Sequence, residues 1–250
     1  MTSPITPEYE QISLNITAAD PALTEQAILS KPEHERLASM HEGARPSFVT
    51  ARAMLRRALA SRMGLDASAV PLVQQGAGRV SLTGFNDDEP PFFSVSHSGS
   101  AEAGLAAVAV SMTMPIGIDI QQIDYHIDWK RIAERRFPAQ EWDLMRAMPE
   151  NEGRMLFFTL WAIKEACVKM ENGTLMPYLR GIEIEFREGG FQLVSPTPGG
   201  LSDISIFFHF LPDLDLAVAC VSQRKTVVTL DCDVVMGVVE LNSADNAASD

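Results

Sequence analysis

The chain has 250 residues, 46% of them hydrophobic and 21% charged, a globular composition that argues against disorder. Its 20 Lys and Arg against 33 Asp and Glu give a net charge of −13, the wrong sign for a protein whose main partner is a nucleic acid. Cys167, Cys220 and Cys232 lie far apart with no CxxC, which speaks against a disulfide framework or a thiolate zinc site. No apolar run nears the length of a membrane span, and Met1–Glu10 lacks a leader pattern, so the expectation is a cytosolic chain with no membrane contact.

Residues 1–30 are polar and loosely patterned, and no firm element is predicted there. A helical pattern begins near Lys31. In Ser47–Met63, Phe48, Met54, Leu55 and Leu59 alternate with Arg52, Arg56 and Arg57, and Gly64 follows as a stop. Strands are predicted at Val70–Val73, Phe92–Val95 and Gly104–Val110, the last two joined by a turn at Ser98–Gly99. In Ile116–Gln121, Ile116, Ile118 and Ile120 alternate with Gly117, Asp119 and Gln121, the pattern of a half-buried strand. Helices follow at Trp129–Arg135, Gln140–Ala147 and Arg154–Met170. The strands Ile182–Phe186, Phe191–Leu193, Ile204–Phe210 and Leu216–Val221 come next, and Asn242–Asp250 reads as a frayed end. The class is α+β, in two halves of similar size sharing an interface.

Four segments could carry chemistry. In Arg154–Met170, Leu156, Leu160, Ile163, Cys167 and Met170 form one apolar seam. The opposite face mixes Phe157, Phe158, Trp161 and Val168 with Lys164, Glu165 and Lys169, so the helix is buried on both sides. Trp161, Glu165 and Lys169 recur every four residues on one stripe, either an ordinary ion pair or part of a site. On Ile116–Gln121, Asp119 and Gln121 face the same way, away from the isoleucines, and an adjacent carboxylate and amide suit a hard cation such as magnesium. Ser94–Gly99 sets His97 among hydroxyls, as an anion contact or as a hydrogen-bonded structural histidine. Gly76–Ala77–Gly78–Arg79 is a turn that could aim Arg79 at a phosphate, but it completes neither GxGxxG nor a P-loop.

The segments Gly78–Arg79, Ser96–His97–Ser98, Gly117–Ile118–Asp119 and Trp161–Ala162–Ile163–Lys164–Glu165–Ala166 with Lys169 occur in an order that resembles the surfactin-type 4'-phosphopantetheinyl transferases. Arg135–Phe137 with Glu141 resembles a further family segment, and the likeness covers roughly residues 35–222. The resemblance implies two pseudo-twofold halves, each a small antiparallel sheet on a long helix. The halves would be 1–115, with the nucleotide contacts, and 116–228, with the metal and catalytic residues. An acidic tail, 229–250, would follow and be dispensable for catalysis.

The implied reaction moves phosphopantetheine from coenzyme A to a serine of an acyl or peptidyl carrier protein, releasing 3',5'-ADP. By the resemblance, Asp119 and Glu165 hold magnesium, with Gln121 a weaker candidate acting through water. Glu165, Lys169 and Lys164 are the catalytic set, and the two lysines pair with phosphates. Gly78, Arg79, Ser96, His97 and Asp119 contact coenzyme A, with Arg45 or Arg52 as the arginine on the 3'-phosphate. A monomer is expected. A magnesium-dependent nuclease is the competing enzyme reading, which the net charge and the Lys164-before-Glu165 order on a helix disfavour. A non-catalytic coenzyme A or carrier-binding module is the other alternative.

Overall fold

The computed structural model describes residues 10–20, 22–75, 79–86, 88–99, 104–187, 190–223, 226–232 and 238–242. Two sheets face each other, with a long helix on the outer side of each. The first sheet holds Val238–Asn242 (β12), Thr226–Cys232 (β11), Glu10–Ala18 (β1), Leu105–Ser111 (β5) and Phe92–Ser98 (β4), in that spatial order. The second holds Ile116–Gln122 (β6), Leu216–Ser222 (β10) and Ser205–Leu211 (β9), all antiparallel. Two hairpins complete the strands, Leu72–Gln75 (β2) with Arg79–Leu82 (β3) and Ile184–Arg187 (β7) with Gly190–Leu193 (β8). The helices are Lys31–Ser39 (α1), Arg45–Met63 (α2), Trp129–Arg136 (α3), Ala139–Ala147 (α4), Glu150–Met170 (α5) and Leu175–Gly181 (α6).

The period-two patterns decide which way each strand faces. In β6, Ile116, Ile118 and Ile120 enter the core between the sheets, against Ile12, Leu14 and Ile16 of β1 and Ala107 and Ala109 of β5. Val108 and Val110, on the other face of β5, meet Leu55 and Leu59 of α2. Gly64 ends α2 at φ 67°, a left-handed stop that glycine adopts without strain. The outer face of β6 turns Gly117 and Asp119 toward α5. A Cβ on Gly117 would stand 1.9 Å from the Ala166 carbonyl oxygen and 2.8 Å from the Met170 nitrogen. Only glycine lets the two backbones approach this closely.

The sheets meet at the edges of β4 and β6. Ser94, Ser96 and Ser98 accept the backbone N–H groups of Ile118, Ile120 and Gln122 at 2.9, 3.3 and 2.9 Å. Side-chain oxygens thus satisfy edge amides that a neighbouring strand would otherwise serve.

Most predicted elements lie within a few residues of the observed ones, and α5 is buried on both sides as expected. The first departure is β1, a central strand in the region read as loosely patterned. Its Ile12, Leu14 and Ile16 are fully buried. The second is the C-terminal boundary. Thr226–Cys232 runs parallel to β1, from Glu10↔Thr226 to Ile16↔Cys232, and buries Val228, Leu230 and Cys232. The boundary at 228/229 therefore cuts a strand, and the first sheet draws on both ends of the described chain and is not purely antiparallel. Gly78 and the sequence-predicted turn Gly76–Gly78 lie outside the described residues, as do 243–250.

A chain ended at Gln223 loses β11 and β12 and exposes one edge of β1. Three buried side chains at roughly 1.5–3 kcal/mol each make a loss of about 4 kcal/mol or more, a large share of a typical domain's stability. The expected outcome is a sharp fall in melting temperature or insoluble protein. An unchanged thermal transition would contradict the pairing of β11 with β1.

Candidate active site

Asp119 is 1% exposed and sits where β6, β4 and α5 converge. Its Oδ1 accepts from the Ser96 hydroxyl at 2.7 Å and from the Lys169 ammonium at 2.6 Å, and its Oδ2 accepts from the Gln121 amide at 2.8 Å. Glu165 lies one turn before Lys169 on α5, and its Oε1 accepts the Trp161 indole N–H at 2.9 Å. Burial first, then the negative charge of Asp119, raises the Glu165 carboxyl to about 7, against the opposing pull of Lys169 and the indole. Two carboxylates are thus pressed together in a half-buried site. That donor set suits a hard divalent cation, which commonly takes one or two protein carboxylates and fills its shell with substrate oxygens and water. Among the described residues no group of three His, Cys, Asp or Glu forms a complete protein cage.

Lys169 also reaches outward. With Arg79, Phe93, Val95, Val168 and Gly173 it lines an open cavity of about 290 Å³ between the β2–β3 hairpin, β4 and the end of α5. A neighbouring cavity shares Arg79 and Lys169 and continues past Phe85 and Pro91. Two cations on the walls of one cleft suit a polyanionic ligand. His97 follows Val95 on the α2 side of β4 and is open to solvent. Packing around it, then the Lys169 and Arg52 charges, push its imidazole below the ordinary range, with Asp119 opposing. An anion bound there would reverse that balance.

The two arginine candidates have different neighbours. Arg45 gives its Nε to the Met40 carbonyl at 3.2 Å, at the end of α1. Arg52 is buried beside Glu33 at 3.7 Å and over the Phe48 ring at 5.2 Å, and its Nε lacks a hydrogen bond among the described residues. Burial lowers its guanidinium to about 10. Of the two, Arg52 is the one whose charge acts on His97.

Two sequence-based assignments need correction. Lys164 is not in the cleft. It is fully buried, with Nζ 2.8 Å from Glu141 Oε2, 3.1 Å from the Leu179 carbonyl and bonded also to the Ile182 carbonyl. Neighbouring residues on a helix point about 100° apart, so Lys164 turns inward while Glu165 turns to the site. Glu141 completes this clamp by accepting the Ile184 N–H at 2.8 Å. The pair ties α4, α5 and the start of β7 together. The second correction is Ser96, whose 4% exposed hydroxyl is spent on Asp119 and the Ile120 amide and does not face the cleft. Gln121 reaches Asp119 through its amide nitrogen, and Glu165, Asp119 and Lys169 stand together at this point. The sequence names Gly117 only as part of a motif, and neither its close approach to α5 nor the serine ladder was read from it. The signal for the ladder was there, in serines at 94, 96 and 98 of one strand.

Residues 115–220 match the 4'-phosphopantetheinyl transferase superfamily. The match holds β6, α5 and β10, and with them Gly117, Asp119, Glu165 and Lys169. The chain is 29% identical to the 4'-phosphopantetheinyl transferase HetI of Nostoc over 178 residues, 71% of this chain and 69% of that protein. It is 27% identical to the 4'-phosphopantetheinyl transferase AcpT of Escherichia coli K12 over 186 residues, 74% of this chain and 84% of that one. It is 40% identical to the 4'-phosphopantetheinyl transferase psf-1 of Bacillus pumilus over 98 residues, 39% of each chain.

The two lysines of α5 separate by experiment. Lys164→Met leaves Glu141 buried and uncompensated, at about 3–5 kcal/mol, and the expected result is a much lower melting temperature. Lys169→Met also removes a partner of a buried carboxylate, but Ser96 and Gln121 still donate to Asp119, so the expected loss of stability is smaller than for Lys164→Met, while activity falls about tenfold or more. A Lys164→Met protein of wild-type stability but without activity would return Lys164 to the site.

Proposed function

We propose that this chain transfers the 4'-phosphopantetheine group of coenzyme A to a serine of an acyl or peptidyl carrier protein, releasing 3',5'-ADP, and that it is of the surfactin type. The observation that carries the reading is the convergence of Asp119, Glu165 and Lys169 beside a cleft with Arg79 on its wall, within the segment that matches the superfamily. The Trp161 to Ala166 motif and the two-sheet arrangement favour the surfactin type.

Phosphoryl transfer asks the protein mainly for positioning and charge neutralisation. Asp119 and Glu165 would hold a magnesium ion, which supplies Lewis-acid stabilisation of pyrophosphate oxygens when bound. Lys169 balances negative charge on the phosphates, and Arg79 orients the nucleotide from the opposite wall. Glu165 accepts the carrier serine proton on the oxygen not bonded to Trp161. His97, with Arg52 behind it, receives the 3'-phosphate. The apolar stretch of the cleft at Phe93, Val95 and Val168 shelters the remainder of the ligand.

The direct test incubates an apo carrier protein with the chain, coenzyme A and magnesium and follows its mass. The expected gain is about 340 Da, the mass of the transferred group. Glu165→Gln keeps the side chain's shape and its indole contact, removes the base, and should lower turnover at least about a hundredfold with coenzyme A still bound. No mass gain with any acyl or peptidyl carrier would sink the reading, and a Glu165→Gln rate within about threefold of wild type would remove Glu165 from it.

His97 gives a separate test by ligand comparison. If its imidazole meets the 3'-phosphate, His97→Ala weakens coenzyme A by about tenfold or more, as for loss of a charge-assisted hydrogen bond, and leaves dephospho-coenzyme A unchanged. Calorimetry with both ligands measures this, and equal weakening of the two marks His97 as structural.

A further inference from the structure

The serines of the β4–β6 seam are not equivalent. Ser94 and Ser98 accept one backbone N–H each from β6. Ser96 does the same for Ile120 and also commits its single hydroxyl proton to Asp119 Oδ1 at 2.7 Å. Lys169 takes the same oxygen at 2.6 Å. Oδ1 is therefore fixed from two sides, one on β4 and one on α5. Oδ2 accepts from the amide of half-buried Gln121, and the Glu165 carboxyl stands against the same carboxylate.

We infer that Ser96 is a positioning residue for the transfer reaction: its hydroxyl locks the Asp119 carboxylate by Oδ1, so that Oδ2 is the oxygen that would be offered to a divalent cation in place of the Gln121 amide. The inference rests on the reading of Asp119 as a cation-holding carboxylate. Outer partners of this kind set the orientation of a metal-binding carboxylate, and their loss typically costs 10–100-fold in metal affinity. The arrangement also ties the two sheets together at the site. The strand that carries His97 is the strand that orients Asp119, so the phosphate contact and the cation contact share a rigid support.

The test is calorimetric titration of magnesium chloride into Ser96→Ala, Ser94→Ala and Asp119→Asn, with and without coenzyme A, alongside thermal melts. Ser96→Ala is expected to bind magnesium about tenfold more weakly or worse. Ser94→Ala leaves a buried amide unsatisfied in the same seam, so it should lose comparable stability and keep wild-type magnesium affinity. Magnesium binding by Ser96→Ala within about threefold of wild type, with a melt like that of Ser94→Ala, would overturn the inference and make Ser96 purely structural. If Ser96→Ala fails to fold, Ser96→Cys keeps the size with a poorer donor, and the same weakening is expected. Asp119→Asn separates the two levels of the argument. If it loses magnesium while the Ser96 variants keep it, only the role of Ser96 falls. If Asp119→Asn itself binds as wild type, the reading beneath it falls as well.

Discussion

The backbone of α5 lies against β6 at Gly117 with no room for a side chain, since a Cβ there would stand 1.9 Å from the Ala166 carbonyl oxygen. The rest of the site follows from that approach. Strand periodicity puts Asp119 on the same face as Gly117, two residues on, and helix periodicity puts Glu165 and Lys169 on the stripe that meets it. Burial there, and next the negative charge of Asp119, raise the Glu165 carboxyl to about 7.

Around this contact the chain divides its ionic groups into two kinds. Lys164 with Glu141, and Arg56 with Glu33 at 2.6 Å, are buried, fully engaged and turned inward. They hold helices to their neighbours and make no contact with the cleft. Lys169 and Arg79 line the cleft itself. A net charge of −13 does not describe this local field, because the cleft collects cations on an otherwise acidic surface. The serine ladder adds the other requirement, that the sheet carrying His97 and the sheet carrying Asp119 keep a fixed register.

The sequence made the local patterns legible. Alternating isoleucines oriented Asp119 away from the core, and the four-residue spacing of Trp161, Glu165 and Lys169 put them on one stripe of a helix buried on both sides. Non-local facts were not legible. The pairing of Glu10–Ala18 with Thr226–Cys232 joins segments more than 200 residues apart; the alternation of Ile12, Leu14 and Ile16 is a strand pattern, but it carries no record of the partner strand. Lys164 was misassigned because adjacency in a motif was taken for adjacency in space. Its partner Glu141 is on a different helix. The roles of Ser96 and Gly117 depend on what stands opposite them, and a single strand's pattern carries no record of that.

The approach of α5 to β6 is tested most directly by the transfer rate of Gly117→Ala in the presence of magnesium, on protein whose folding is checked by circular dichroism. The added methyl meets backbone, not a flexible side chain, so α5 must move away and carry Glu165 and Lys169 off Asp119. A displacement near 1 Å at a reacting site costs about a hundredfold in rate, and a loss of that order is predicted. Transfer by Gly117→Ala at the wild-type rate, with a wild-type magnesium requirement, would show that the close approach does not build the site.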